Sequence, residues 1–156
     1  MNKELLGHVG VDSGQLMVTD PCYLKQFDNN EYHPKRRYVN KRDPLKIIEW
    51  PQDFFNYEDD MIKGYNKNMN TLINEGVFVQ LEDDKIDSSY SYVGCCHQTC
   101  KTDKQGGVLA SGLGVAFTSG WGDGSYPVYA YYDTSGRISK IEIVTISDEA
   151  SCYEIE

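Results

Sequence analysis

Tyr126-Pro127-Val128-Tyr129-Ala130-Tyr131-Tyr132-Asp133-Thr134-Ser135-Gly136-Arg137-Ile138-Ser139-Lys140-Ile141-Glu142-Ile143 decides the fold class. Aromatic and β-branched residues run up to Asp133-Thr134-Ser135-Gly136, whose short polar side chains and glycine suit a tight reversal. Beyond the turn, Ser139, Ile141 and Ile143 face one way and Lys140 and Glu142 the other. That is the two-residue period of a half-buried strand, and the whole stretch reads as a β-hairpin. Working outward, residues 113–118, 89–93 and 77–81 read as further strands, and a short one is expected near 45–48. At the N-terminus, Val9 and Val11, the turn Asp12-Ser13-Gly14 and Leu16-Met17-Val18-Thr19 read as a second hairpin, ended by Asp20-Pro21.

One helix is expected, over 57–75. Met61, Ile62, Tyr65, Met69, Leu72 and Ile73 recur at helical spacing. Asn56 is placed to cap it, Glu58, Asp59 and Asp60 suit its N-terminal dipole, and Gly76 suits its stop. Runs of strands with one helix argue against βαβ crossovers. The expected class is α+β and β-dominated: an antiparallel sheet, or a small sandwich or barrel, with one main helix packed on it. The 156 residues suit a single domain, 1–156, with a loop-rich excursion at 24–56 and a frayed tail at 147–156.

Charge narrows the partners. Asp and Glu number 24 against 15 Lys and Arg, a formal charge of −9. Such a chain is a poor general binder of phosphate backbones, so no double-stranded nucleic acid is expected. The exception is His33-Pro34-Lys35-Arg36-Arg37-Tyr38-Val39-Asn40-Lys41-Arg42, with five cations in its last eight residues. It reads as a solvated loop or as a clamp for a small anionic ligand. No window is apolar enough for a membrane helix and no secretory leader precedes the first strand. The five cysteines are an odd number without a secretion signal, so they read as reduced thiols in a cytoplasmic protein.

Three loci hold chemistry-bearing residues. In Gly94-Cys95-Cys96-His97-Gln98-Thr99-Cys100, either Cys95 or the distant Cys22 could act as a nucleophile with His97 as its base. Alternatively Cys96, His97 and Cys100 could converge on zinc, with Cys22 or Cys152 completing a tetrahedron. In Ser119-Gly120-Trp121-Gly122-Asp123-Gly124-Ser125-Tyr126, alternating glycines imply a backbone that other residues would resist. There Asp123, Ser125 and Tyr126 could face a ligand. A strand follows this run and GK[ST] is lacking, so it is neither a dinucleotide fingerprint nor a P-loop, and no cofactor is expected. The third locus is the corner Asp20-Pro21-Cys22-Tyr23, where Asp20 and Tyr23 are candidate contacts.

Gly10-Val11-Asp12-Ser13-Gly14-Gln15-Leu16-Met17, Thr19-Asp20-Pro21-Cys22-Tyr23 and Gly122-Asp123-Gly124-Ser125-Tyr126-Pro127-Val128-Tyr129 resemble uncharacterised bacterial and phage proteins of the DUF4241 type. The family's signature is a GDGxYPVY-like run. The resemblance implies a fold neighbourhood and brings no reaction with it. Taken together, the expectation is a non-enzymatic binding domain that contacts a small ligand or a protein partner. The contacts would be the glycine-rich loop 119–126 and the Asp20–Tyr23 corner, and the 12 tyrosines suit such a surface. The alternatives are a Cys/His hydrolase or transferase, and a zinc-stabilised structural module.

Overall fold

The computed structural model describes residues 2–32, 35–83 and 85–147. In chain order the strands are β1 (Asn2–Val11), β2 (Gln15–Thr19), β3 (Arg36–Asn40), β4 (Ile47–Trp50), β5 (Met61–Ile62), β6 (Lys67–Asn68), β7 (Phe78–Leu81), β8 (Gly106–Leu109), β9 (Gly114–Thr118), β10 (Gly124–Tyr132) and β11 (Ile138–Ile143). The helices are α1 (Met69–Asn74) and α2 (Tyr92–Cys100), with a 3-10 helix at Pro21–Gln26. All strand pairs are antiparallel, and the fold is α+β and β-dominated. The sheets are open, so the barrel alternative does not hold. The chain forms two compact units. One is Met1–Glu31 with Ile86–Glu156; the other is the continuous stretch Tyr32–Lys85.

In the first unit, β1 and β2 are not a hairpin. β1 pairs with β10 and β2 pairs with β9, in sheets ordered β1-β10-β11 and β2-β9-β8. The pair β1–β2 therefore runs as a long ribbon alongside β9–β10, and both strands change sheet at one corner, residues 12–14 against 119–123. The expected hairpin at 126–143 is present as β10 and β11, with Ile141 and Ile143 on one face and Lys140 and Glu142 on the other. Lys3, Tyr129, Tyr131, Lys140 and Glu142 cluster on that second face.

The main helix of this unit is α2, where a strand through 89–93 was expected. Ser91 caps it, its hydroxyl accepting the Gly94 N–H at 2.9 Å. Gly94, Cys95, Cys96, Gln98 and Thr99 are all buried, so α2 carries no polar-against-apolar stripe by which its period could be read. It packs on β2, β8 and β9. The core there is Tyr90, Cys95, Leu109 and Ala116, with Met17, Tyr23, Phe27 and Leu113 against it.

In the second unit, β4, β3 and β7 form a sheet over a core of Tyr38, Phe54, Ile62, Met69, Leu72 and Phe78. Tyr38 and Phe54 lie in the stretch expected to be an excursion from the core; instead they help build one. The expected helix 57–75 survives only as α1. Asn56 does cap a turn, its side chain accepting from the Glu58 and Asp59 N–H groups, but the turn does not propagate. Gly64 at φ +90° and Asn66 at φ +55° reverse the chain between β5 and β6. Ile62, Met69 and Leu72 still reach the core, so burial is satisfied without the helix, while Met61 is exposed. Asn68 is the true cap, accepting the Thr71 N–H at 2.8 Å. Gly76 stops α1 as expected: at φ +70° it lets its own N–H reach Ile73 O and that of Val77 reach Leu72 O. The frayed tail expected at 147–156, and the part given to Cys152, lie from residue 148 onward outside the described residues, as do His33 and Pro34.

Candidate functional site

The turn between β3 and β4 builds the strongest site. Asn40 is buried at the end of β3, and its carboxamide oxygen accepts the Arg42 N–H at 2.9 Å and the Asp43 N–H at 3.3 Å. The Asp43 carboxylate accepts the Leu45 N–H at 3.2 Å. The Asn40 N–H closes the loop onto Lys46 O at 3.0 Å. These side-chain-to-backbone bonds are the local chemistry of Asn and Asp in turns. They turn Lys41, Arg42 and Lys46 outward around one concavity of about 650 Å³, completed by Tyr65, Glu75, Gly76 and Val77.

The electrostatics of this concavity are lopsided. Glu75 is held by Lys67 at 2.7 Å, and Asp43 is engaged by the turn. Elsewhere in the basic run, Arg37 pairs with Glu49 at 3.3 Å, and Arg36 sits 5.4 Å from the Trp50 ring and donates to the Tyr57 hydroxyl. Lys41, Arg42 and Lys46 make no ion pair among the described residues. Tyr65 forms a fixed wall: its hydroxyl accepts from Asn40 Nδ2 at 2.9 Å, and its ring meets Phe78 edge-on at 5.1 Å. Lys41 and Arg42 were legible as part of a basic run. Lys46, Asn40 and Tyr65 were not, although Asn40 three residues before Asp43-Pro44 is a turn signal.

The other candidate residues are spread apart. Asp123 and Asp20 do not share a rim. The β2–β9 ladder runs from Gln15 opposite Thr118 to Thr19 opposite Gly114. The glycine-rich loop leaves one end of it and the Asp20–Tyr23 corner the other, about 14 Å along the strands. Asp123 instead meets the Asp12–Gly14 turn, its Oδ1 accepting the Gly14 N–H at 2.8 Å. The Tyr126 hydroxyl and the Ser119 hydroxyl both donate to Gly122 O, at 2.8 and 2.5 Å. Tyr126 is buried and Ser125 is exposed on β10. Asp20 caps the 3-10 helix through the Cys22 N–H at 2.8 Å, and Tyr23 packs on the core below α2.

On α2, Cys95 and His97 are two residues apart and so face different ways. Cys95 is buried, and burial followed by the neighbouring Cys96 pushes its thiol up to about 11. A thiol in that state is not a nucleophile near neutrality. His97 Nδ1 accepts the Asp87 N–H at 2.8 Å, tying the ring to the segment before the helix. Cys22 and Cys100 are exposed, whereas Cys96 is buried and accepts from Gln15 Nε2 at 3.5 Å. Among the described residues no three His, Cys, Asp or Glu side chains gather into a group that could hold a metal ion, so the Cys96, His97, Cys100 set does not form. No helix among the described residues is long and apolar enough to cross a membrane.

No curated protein and no solved structure matches the chain. The family model described as a protein of unknown function, DUF4241, matches residues 2–143, spanning both units and nearly the whole length, and the chain belongs to that family.

Proposed function

We propose that the chain is a non-enzymatic, cytoplasmic binding module of bacterial or phage origin. Its ligand is a small anion, held in the concavity of Lys41, Arg42 and Lys46 rather than by the glycine-rich loop. One observation carries the reading: three cations without an ion-pair partner among the described residues line one hollow of a chain whose net charge is −9. Clustered cations in a concave wall concentrate an electric field and favour an anionic guest. The Arg42 guanidinium supplies a planar fork for a carboxylate or phosphate, and the two ammonium groups add point charges. The glycine-rich loop and the Asp20 corner spend their polar groups on their own backbone, which leaves less for a ligand.

The test is titration of the purified full chain with inorganic phosphate and pyrophosphate, read by calorimetry at low and high salt. Saturable binding that weakens with salt is expected. The triple substitution Lys41→Ala, Arg42→Ala, Lys46→Ala should lower affinity by about tenfold or more, since a hydrogen bond to a charged group contributes about 1.5–3 kcal/mol. A Lys25→Ala, Lys104→Ala control should bind as the parent does. Absent binding, or a triple variant that binds equally well, refutes the assignment.

A further inference from the structure

A second hollow adjoins the cationic one, and the two share Lys46 and Tyr65. It measures about 470 Å³, within the range of small-molecule sites. It combines aliphatic and aromatic side chains with the charged Lys46, Asp53 and Lys63. Ile62 and Phe78 of the core form its floor, with Ile47, Ile48 and Leu45 beside them. Leu45 is 93% exposed, an aliphatic side chain of this hollow standing open to solvent. Gly64 also lines it, and a methyl group added there would meet nothing within 4 Å, so the space beside it is open. Of its charged members, Asp53 is engaged through Oδ2 by the Glu49 N–H at 2.7 Å, and Lys63 lies next to Gly64. The Lys46 ammonium lies 5.7 Å from the centre of the Tyr65 ring, the wall common to both hollows.

Resting on the anion-binding reading, we propose that the ligand is an amphiphile, with an anionic head among Lys41, Arg42 and Lys46 and an aliphatic body lying past Tyr65 along Leu45, Ile48 and Ile62. Charge complementarity orients it: the end with three cations takes the head, and the end floored by Ile62 and Phe78 takes the chain. Covering Leu45 removes apolar surface from water, which adds affinity that a bare anion cannot obtain.

The experiment compares octyl phosphate, inorganic phosphate and octanol as titrants of the full chain, below the concentration at which the amphiphile forms micelles. Octyl phosphate should bind about tenfold or more tighter than inorganic phosphate, and octanol far more weakly than octyl phosphate. The Leu45→Ser, Ile48→Thr variant should lose the advantage of the chain while keeping the affinity for inorganic phosphate. Leu45→Ser alone, on an exposed side chain, serves if the double variant melts early. Equal binding of the two phosphates, or an advantage that survives these substitutions, overturns the amphiphile and leaves the anion site standing. Octanol binding as tightly as octyl phosphate also overturns it, as indiscriminate apolar adsorption. If neither phosphate binds, both proposals fall.

Discussion

Gly94 shows how a single hydrogen can decide a local structure. A Cβ at this position, in the first turn of α2, would collide with the Ser89 carbonyl oxygen, which is backbone and cannot rotate away. The same Ser89 carbonyl accepts the Ser91 N–H at 2.9 Å, and its hydroxyl meets that of Ser91 at 2.7 Å, so the cap and the glycine form one packed unit. Gly94→Ala should therefore destabilise by about 1–3 kcal/mol, the range for forcing extra volume into packed structure. At Gly107 the obstacle is the Gln98 side-chain amide, which has rotamers available. Gly107→Ala should then cost less than Gly94→Ala in urea unfolding; the reverse order would show that the Gln98 contact is the stiffer of the two.

At the level of elements, Glu142 ties three strands together. It stands on β11, takes Lys3 of β1 at 2.9 Å, accepts from the Tyr131 hydroxyl of β10 at 2.9 Å and pairs with Lys140 at 3.0 Å. These bonds, that from Lys3 foremost, hold its carboxyl down from 4.5 to about 2. Its folded pKa is thus depressed relative to the unfolded chain. The linked stability is present above the ordinary carboxylate value and is lost as pH falls from there toward 2. Glu142→Gln should flatten this acid limb, seen as a smaller fall of melting temperature between pH 5 and pH 2. An unchanged acid limb would assign the acid sensitivity to other carboxylates.

On the scale of the molecule, the corner at 12–14 and 119–123 joins residues 109 positions apart through the Asp123 bond to Gly14. The Ser119 N–H adds a bond to Gly14 O at 3.0 Å, and Ser119 is fully buried. Gly120 at φ +69° and Gly122 at φ +92° supply the left-handed steps that let β9 turn into β10. Asp123→Ala should cost about 0.5–1.5 kcal/mol, because the half-buried Gly14 amide regains water. Ser119→Ala should cost more, since Ser119 is fully buried and Gly122 O keeps only the Tyr126 hydroxyl as a side-chain donor. Neither should alter phosphate binding. Loss of binding in Asp123→Ala at unchanged melting temperature would return the ligand site to the glycine-rich loop.

Sequence alone determined the strands at 77–81, 113–118 and 126–143, the reversal at Asp133-Thr134-Ser135-Gly136 and the stop at Gly76. In each, alternation of apolar side chains or a residue with special backbone freedom is a local property, readable within a few positions. Family membership was legible for the same reason, in contiguous glycine-rich and Asp-Pro runs. Only the tertiary structure decided that β1 pairs with β10 and β2 with β9, because strand pairing is chosen by burial and backbone bonding between distant segments. It also moved the main helix from 57–75 to Tyr92–Cys100: a helix whose buried positions, Gly94, Cys95, Cys96, Gln98 and Thr99, run around it shows no stripe, and Gly64 with Asn66 lets the apolar residues near it reach their core by a reversal. The same holds for the binding site. Lys41 and Arg42 are neighbours in the chain, but Lys46, Tyr65 and Gly76 join them only because β3, β4 and α1 fold around one core.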